Sequence, residues 1–320
     1  MREYIVRRLF ILIPVFFGIT LINFVLVNLM PGDAVDAMVD PRDRQVMRPA
    51  ELQARRESLG LNKSMPERYV IWLGQMASGN LGYSYVTQKP VVGEVTTRLV
   101  ETLKLQIVAF VVAIVVGLLL GVYAALHQYS VFDYAATFIS YILTSVPVFF
   151  VALLAIYGLA VTLRWFPTSG VRAIGSQASL ADELWHMTLP VIVLSLGSWS
   201  VLMRYTRTSV LEVLNQDYVG AAKAKGLEWR TVVRRHALRN ALLPLITVIA
   251  LSIPSLIAGS VLVETVFNWP GMGQATVLAI GRRDYPVIMG VIVFFSIAVL
   301  LSNLIADIAY AVADPRIRYS

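Results

Sequence analysis

The 320-residue sequence contains no cysteine. A disulfide framework, thiolate metal ligation and a cysteine nucleophile are all excluded, while any redox compartment remains compatible. Charge is scarce: Asp, Glu, Lys and Arg make up 15% of the residues, against about 25% in an ordinary soluble domain. Histidine is nearly absent, and His127, His186 and His236 lie too far apart to suggest a metal cluster. There is no Gly-x-x-x-x-Gly-Lys-Ser/Thr phosphate loop, no His-Glu-x-x-His zinc motif and no Gly-x-Ser-x-Gly nucleophile elbow. The low hydrophobicity and high charge that mark disorder are also missing. Hydrophobic residues account for 57% of the chain, and its mean hydropathy is +0.69.

What is present is a series of long apolar blocks. A spanning helix needs about 20 mostly apolar residues. Leu9–Met30, Leu105–Phe132, Tyr134–Leu163, Leu184–Met203, Asn240–Val263 and Tyr285–Ala306 each run without one Asp, Glu, Lys or Arg. The chain therefore reads as an all-α integral membrane protein with six transmembrane helices. The first block follows Arg2, Arg7 and Arg8, but its apolar stretch outruns a signal-peptide core and no small-residue cleavage site follows; it reads as a retained span. The net charge of +7 then reflects basic residues kept on one face of the bilayer rather than a nucleic-acid partner.

An even number of spans puts both termini on one side. With cytoplasmic termini, the cytoplasmic segments hold Arg2, Arg7, Arg8, eight bases between Arg204 and Arg239, and Arg316 and Arg318, whereas the two short outside loops hold Arg164, Arg172, Arg282 and Arg283. The turn His127–Asp133 is neutral to this argument. The organisation expected is a tail and first helix over 1–30, an extracytoplasmic segment over 31–99 and a core over 100–320. Within the outer segment, Pro31-Gly32-Asp33 is a turn signal, Pro49–Leu59 a short surface helix stopped at Leu59-Gly60, Tyr69–Met76 an interfacial stretch around Trp72, and Ser78–Tyr85 a loop.

No span holds a charged pair near its centre, where ion-coupled transporters bury ionisable groups. Glu264, Asp307 and His186 lie near span ends and read as interfacial. Without an energy-converting site of its own, a chain that moves a solute needs a partner to supply the energy. A membrane-embedded enzyme and a secondary transporter are rival classes, and neither has its required polar cluster here. Among the intramembrane Pro and Gly residues, Pro147 and Pro254 stand out as candidate helix breaks, each mid-block beside hydroxyls: Thr144 and Ser145, then Ser252 and Ser255. The longest cytoplasmic loop, about 204–240, centres on Asp217-Tyr218-Val219-Gly220-Ala221-Ala222-Lys223-Ala224-Lys225-Gly226. Asp217 is a helix cap residue and Gly226 a left-handed stop. Gly220, Ala221, Ala222 and Ala224 leave so little side-chain bulk that another protein surface can approach closely. The reading is a short docking helix that passes motion into the following span; the plainer alternative is a solvated basic loop.

With Arg235-His236-Ala237-Leu238-Arg239-Asn240-Ala241-Leu242-Leu243-Pro244 added, this loop resembles the EAA loop of bacterial ABC importer permeases, in the form found in the first (B-type) subunit of the dipeptide/oligopeptide family. Gly220 stands where the general motif has Glu. Tyr4–Leu9, Arg204-Tyr205-Thr206-Arg207 leading to Glu212-Val213-Leu214, Glu264–Gly273 and Asp314–Tyr319 agree with the same family, so the resemblance covers essentially the whole chain. It implies a type I importer permease fold in the bacterial inner membrane. It also implies a heterodimer with a second homologous permease, two ATPase subunits that carry ATP and Mg, and an extracytoplasmic substrate-binding protein. Asp217, Tyr218, Gly220, Ala221, Ala222, Lys223, Ala224, Lys225 and Gly226 would form the coupling helix, and this chain would hold no catalytic residue, metal or cofactor. The branch also takes up glutathione, nickel chelates, haem and oligosaccharides as alternatives to peptides. A path that passes peptides without gripping them suits small, hydroxyl and aromatic linings, for which Tyr141, Thr144, Ser145, Pro147, Ser252, Pro254 and Ser255 are the candidates.

Overall fold

The computed structural model of the chain describes residues 2–30, 35, 47–173, 175, 179–258 and 260–313. The turn at Pro31–Asp33 and the C-terminal motif Asp314–Tyr319 fall outside them, as do the side chains of Ser255, His236 and Asp307. Among the described residues the regular structure is helical, with one isolated bridge between Tyr83 and Pro90. The chain divides into two compact units, Met1–Thr102 with Pro270–Leu301, and Leu103–Trp269 with Ser302–Ser320.

In the first unit, α1 (Arg2–Asn28) is followed by the surface helix α2 (Pro49–Ser58) and by α3 (Met65–Ala77). Sequence marks α2 well: it buries no residue and stops where expected. Gly60 takes a left-handed φ of 67°, and the Gly60 and Leu61 amides close back on Glu57 and Arg56. Tyr69 and Trp72 of α3 stack and pack on Phe24 of α1, with ring centroids 5.3–6.1 Å apart. The expected interfacial stretch is thus part of a core, which continues through Leu81, Val91 and Val95 to α11 (Met272–Arg282) and the first turns of α12 (Tyr285–Ala313). The 78–90 loop is pinned by buried Asp284, which accepts from the Ser84 hydroxyl and, at 3.0 Å, from the Tyr85 amide. Burial and the neighbouring Asp284 carboxylate push the Tyr85 hydroxyl up to about 12.

The second unit holds most of α4 (Val91–Leu126), then α5 (Val131–Ser145), α6 (Val148–Ala155) with a π-helical continuation Ile156–Thr162, and α7 (Leu180–Leu214). The short α8 (Asp217–Ala224) follows, then a turn Trp229–Thr231, a π-helical segment Val232–Ala237, α9 (Leu238–Ala258) and α10 (Val261–Val266). α4 begins at Val91 rather than Leu105 and runs straight through the expected boundary at 99/100. Its 36 residues reach about 54 Å at 1.5 Å per residue, beyond a hydrocarbon core of about 30 Å. The charged first turns, with Glu94, Arg98, Glu101 and Lys104, disguise this extension in a search for charge-free blocks.

The six-span expectation is met in part. Phe10–Asn28, Val91–Leu126, Leu180–Leu214 and Tyr285–Ala306 are long and apolar enough to cross a membrane. The block Tyr134–Leu163 is instead two helices, Val131–Ser145 and Val148–Thr162, bent by 107°. The break falls at Val146, held extended with ψ of 130° ahead of Pro147, as the proline ring demands of its predecessor. Trp229–Leu242 and Pro244–Pro254 form a second pair, bent by 41° where Pro244 lacks the amide for the helical bond to Asn240. Gly117 and Gly121 of α4 are contact residues rather than kinks: a Cβ there would sit 2.8 Å from Leu202 Cβ and 2.6 Å from Thr206 Cβ of α7, the close approach that small residues four apart permit between membrane helices.

Candidate functional site

α7 ends at Leu214, and a two-residue turn, Asn215-Gln216, leads into α8. Gln216 occupies the cap position without a side-chain bond to the helix, so Asp217 is not the cap that sequence suggests. It is the first helical residue, where a carboxylate still favours the positive end of the helix. Gly226 fulfils its role: φ is 78°, its amide donates to Lys223 at 2.9 Å and the Leu227 amide donates to Ala222 at 3.4 Å, the paired bonds of a Schellman stop.

α8 presents two faces. Val219 and Ala222 are buried against Val232, with Leu214 beside them. Asp217, Gly220, Ala221 and Ala224, at helical spacing on the other side, are exposed, and a Cβ added at Gly220 would meet nothing within 4 Å. Ala222 therefore anchors the helix from within and does not belong to the low-bulk outer stripe. Two contacts brace α8 onto the segment that follows. The Tyr218 hydroxyl accepts from Asn240 Nδ2 at 3.1 Å, and the Lys223 ammonium lies 4.0 Å from the centroid of the Trp229 ring. Lys225 is exposed.

α7 connects this loop to a cavity of about 340 Å³ within the second unit. Val193, Leu194, Gly197, Ser198, Val201 and Leu202 of α7 form one wall, Leu143, Val146, Val148 and Val151 the broken α5–α6 pair, and Val248 and Ser252 of α9 another. The lining is apolar but for two hydroxyls, Ser198 and Ser252, and one amide, Gln106. Of the sequence candidates for a path, Ser252 lines the cavity and Pro147 shapes it from between Val146 and Val148. Thr144 and Ser145 turn their hydroxyls onto carbonyls of their own helix, Thr144 to Ser140 and Tyr141, Ser145 to Tyr141. Tyr141 is exposed beneath the Arg204 guanidinium at 4.9 Å. Pro254 is half-buried in α9 without lining the cavity.

Sequence reasoning misses the polar link between α5 and α7. Arg207 grips Asp133 with both Nε and Nη2, at 2.5 and 2.7 Å, and the Tyr129 amide adds a third bond to the same carboxylate. One turn away, Arg204 donates to the Ser140 carbonyl at 3.2 Å and the Thr144 hydroxyl at 3.4 Å. The signal was available: Asp133 is the sole acid between Leu105 and Leu163, and a lone carboxylate there needs a cation. Glu264 and His186, read from the sequence as interfacial, are both buried within the fold. Glu264 is fully buried, and His186 Nδ1 lies 2.9 Å from the Asp182 carbonyl oxygen.

Two family models match: the binding-protein-dependent transport system inner membrane component over residues 117–319, and the N-terminal part of such a membrane component over residues 1–106. The oligopeptide transport system permease protein AppB of Bacillus subtilis is 43% identical over 320 residues, covering all of both chains. The di/tripeptide permease DppB of Pseudomonas aeruginosa is 41% identical over 337 aligned residues, covering 100% of this chain and 99% of the relative. The dipeptide permease DppB of Escherichia coli is 38% identical over 340, with the same coverage. Among solved structures, a chain of the inward-facing MetNI methionine ABC transporter matches with a TM-score of 0.54 and 20% identity, covering 69% of this chain and 96% of that one. A chain of an amino acid ABC transporter with histidines gives 0.50 and 16%, covering 70% and 94%.

Proposed function

The chain belongs to the family of binding-protein-dependent transport system inner membrane components, in its dipeptide and oligopeptide permease branch, and from that premise we propose that it is one channel-forming half of an ATP-driven importer of di- or oligopeptides. The observation that carries this reading is the run of one helix, α7, from the wall of an apolar cavity to a short helix stopped at Gly226, on whose outer side Gly220, Ala221 and Ala224 leave little side-chain bulk. In the proposed cycle α8 seats on an ATPase subunit. ATP binding draws the ATPases together, the motion passes through α7 to the cavity walls, and the two permeases alternate between inward- and outward-facing states. ATP and Mg belong to the partner subunits; this chain performs no chemistry.

The termini lie in the cytoplasm, and residues 31–99 face outward toward a binding protein that selects the substrate. The cavity suits peptides of varied side chain because its lining holds no charged residue. Peptide as the substrate class is supported by what the related permeases of B. subtilis, P. aeruginosa and E. coli are named for.

The test is uptake by vesicles holding this chain with its companion permease, ATPases and binding protein. ATP-dependent accumulation of a labelled dipeptide or tetrapeptide, competed by unlabelled peptides but not by free amino acids or a nickel chelate, is the expected result. Accumulation of a nickel chelate, glutathione or an oligosaccharide with no peptide competition would move the substrate to another class.

A further inference from the structure

Just beyond α8, Arg230, Arg234, Arg235 and Arg239 are all exposed. Together with Thr231 they line one concavity of about 470 Å³, with no carboxylate in its wall. Sequence spacing alone does not group them. Nine residues separate Arg230 from Arg239, about two and a half turns at 3.6 residues per turn, which sets them on opposite sides of a regular helix. The intervening Val232–Ala237 is π-helical, and a π turn takes in about one residue more than an α turn. That slack rotates Arg235 and Arg239 back toward Arg230 and Arg234, so that four guanidiniums converge. Among the described residues none of the four has an acidic partner.

Along the chain the basic hollow is followed by exposed apolar residues. Leu242 and Ile246, three and seven residues beyond Arg239 and so at helical spacing from it, are 37% and 44% exposed, and Trp229, the residue before Arg230, is 44% exposed. Clustered arginines at the foot of an apolar helix, with an aromatic at the boundary, match an amphiphile whose anionic head precedes its acyl chains. A docked protein surface explains the charge but not the apolar continuation. We propose that this hollow binds the phosphate of an anionic phospholipid in the leaflet from which the loop emerges, with the acyl chains along Leu242 and Ile246.

The experiment uses the full chain, purified with its companion subunits, in nanodiscs of phosphatidylcholine containing a minor fraction of spin-labelled phosphatidylglycerol. The immobilised fraction reads the preference for the anionic lipid. Wild type holds phosphatidylglycerol over a phosphatidylcholine probe. Each of Arg234→Gln and Arg239→Gln lowers the preference about fivefold, as expected for one basic residue at the surface, and the fourfold Gln variant abolishes it. The corresponding Lys variants keep most of it, which separates lost charge from lost folding. Neutralising Arg55 and Arg56 on α2 leaves it unchanged. No preference in wild type, or an undiminished one in the fourfold Gln variant, would overturn the proposal. So would release of phosphatidylglycerol by inorganic phosphate beyond that caused by chloride at equal ionic strength, which would make this a site for free phosphate. Loss of bound ATPase subunits from the Gln variants with lipid preference intact would assign the hollow to a protein partner instead.

Discussion

At the scale of single residues, the Asp133–Arg207 pair is the contact with the clearest consequence. Asp133 is 2% exposed and held by three hydrogen bonds, two of them from one guanidinium. Arg207→Ala leaves that carboxylate without its cation. It should lower stability by about 1.5–3 kcal/mol, the range for hydrogen bonds to charged groups. Asp133→Asn combined with Arg207→Gln should cost less than the sum of the two single changes; thermal unfolding of the purified chain reads both, and strict additivity would show that the pair does not act as a unit. Tyr85 makes a second prediction. Its folded pKa, about 12, lies above the roughly 10 of an unfolded tyrosine, so the neutral phenol is favoured on folding. The contribution is intact below pH 10 and is lost as pH rises from 10 to 12, and Tyr85→Phe should reduce the loss of stability in that window relative to wild type. An equal fall in both proteins would place the alkaline sensitivity elsewhere. The sequence marks Asp133 as a lone acid in need of a cation but does not say which one, and it gives no sign of the Tyr85 contact. The partner of Asp133, in the first turn of α5, is Arg207, 74 residues away, and the partners of Tyr85 are set by a contact to Asp284 about two hundred residues away.

At the scale of elements, helices with a chemical punctuation mark were legible. α2 ends at Gly60 and α8 at Gly226 because each needs a left-handed residue, and the chain turns at Pro147 because Val146 cannot stay helical ahead of it. What periodicity and charge counting did not reveal was continuity: α4 starts fourteen residues before its apolar block, and Tyr134–Leu163 is long enough for one span yet folds as two helices. The inner and outer faces of α8 were not separable either, because Ala221 and Ala222 are chemically alike and only packing against Val232 turns one of them inward. Gly121→Leu is expected to push α4 off α7, since even a Cβ there would lie 2.6 Å from Thr206 Cβ and 2.7 Å from the Met203 carbonyl; overpacking of this kind costs about 1–3 kcal/mol. A lowered midpoint in thermal unfolding checks it, and wild-type stability would mean the helices separate freely there. Gly226→Val is expected to cost about 1 kcal/mol or more at the left-handed stop. A rise in the protease susceptibility of 215–230, with the spans still inserted, is the readout, and an unchanged digestion pattern would show that the stop tolerates a β-carbon.

At the scale of the whole molecule, the six apolar blocks gave the class of protein but not the number of straight spans, because two of the blocks contain a bend that hydropathy does not register. The proposed orientation is testable without background labelling, since the chain has no cysteine: Arg55→Cys should react with an impermeant thiol reagent from the extracytoplasmic side, and reaction from the cytoplasmic side alone would invert the topology. The central claim is that α8 receives the motion of an ATPase and α7 carries it to the cavity. The most direct measurement places Ala221→Trp, on the outer stripe of α8, in vesicles reconstituted with all partner subunits. ATP hydrolysis, ATP-dependent peptide uptake and the amount of ATPase bound per permease are followed together. The account predicts that uptake is lost, either with the ATPases released or with hydrolysis continuing uncoupled from transport, while the permease remains folded and inserted. Wild-type uptake with wild-type ATPase occupancy would contradict it, because a tryptophan cannot fit in a surface where glycine and alanine are needed for close approach.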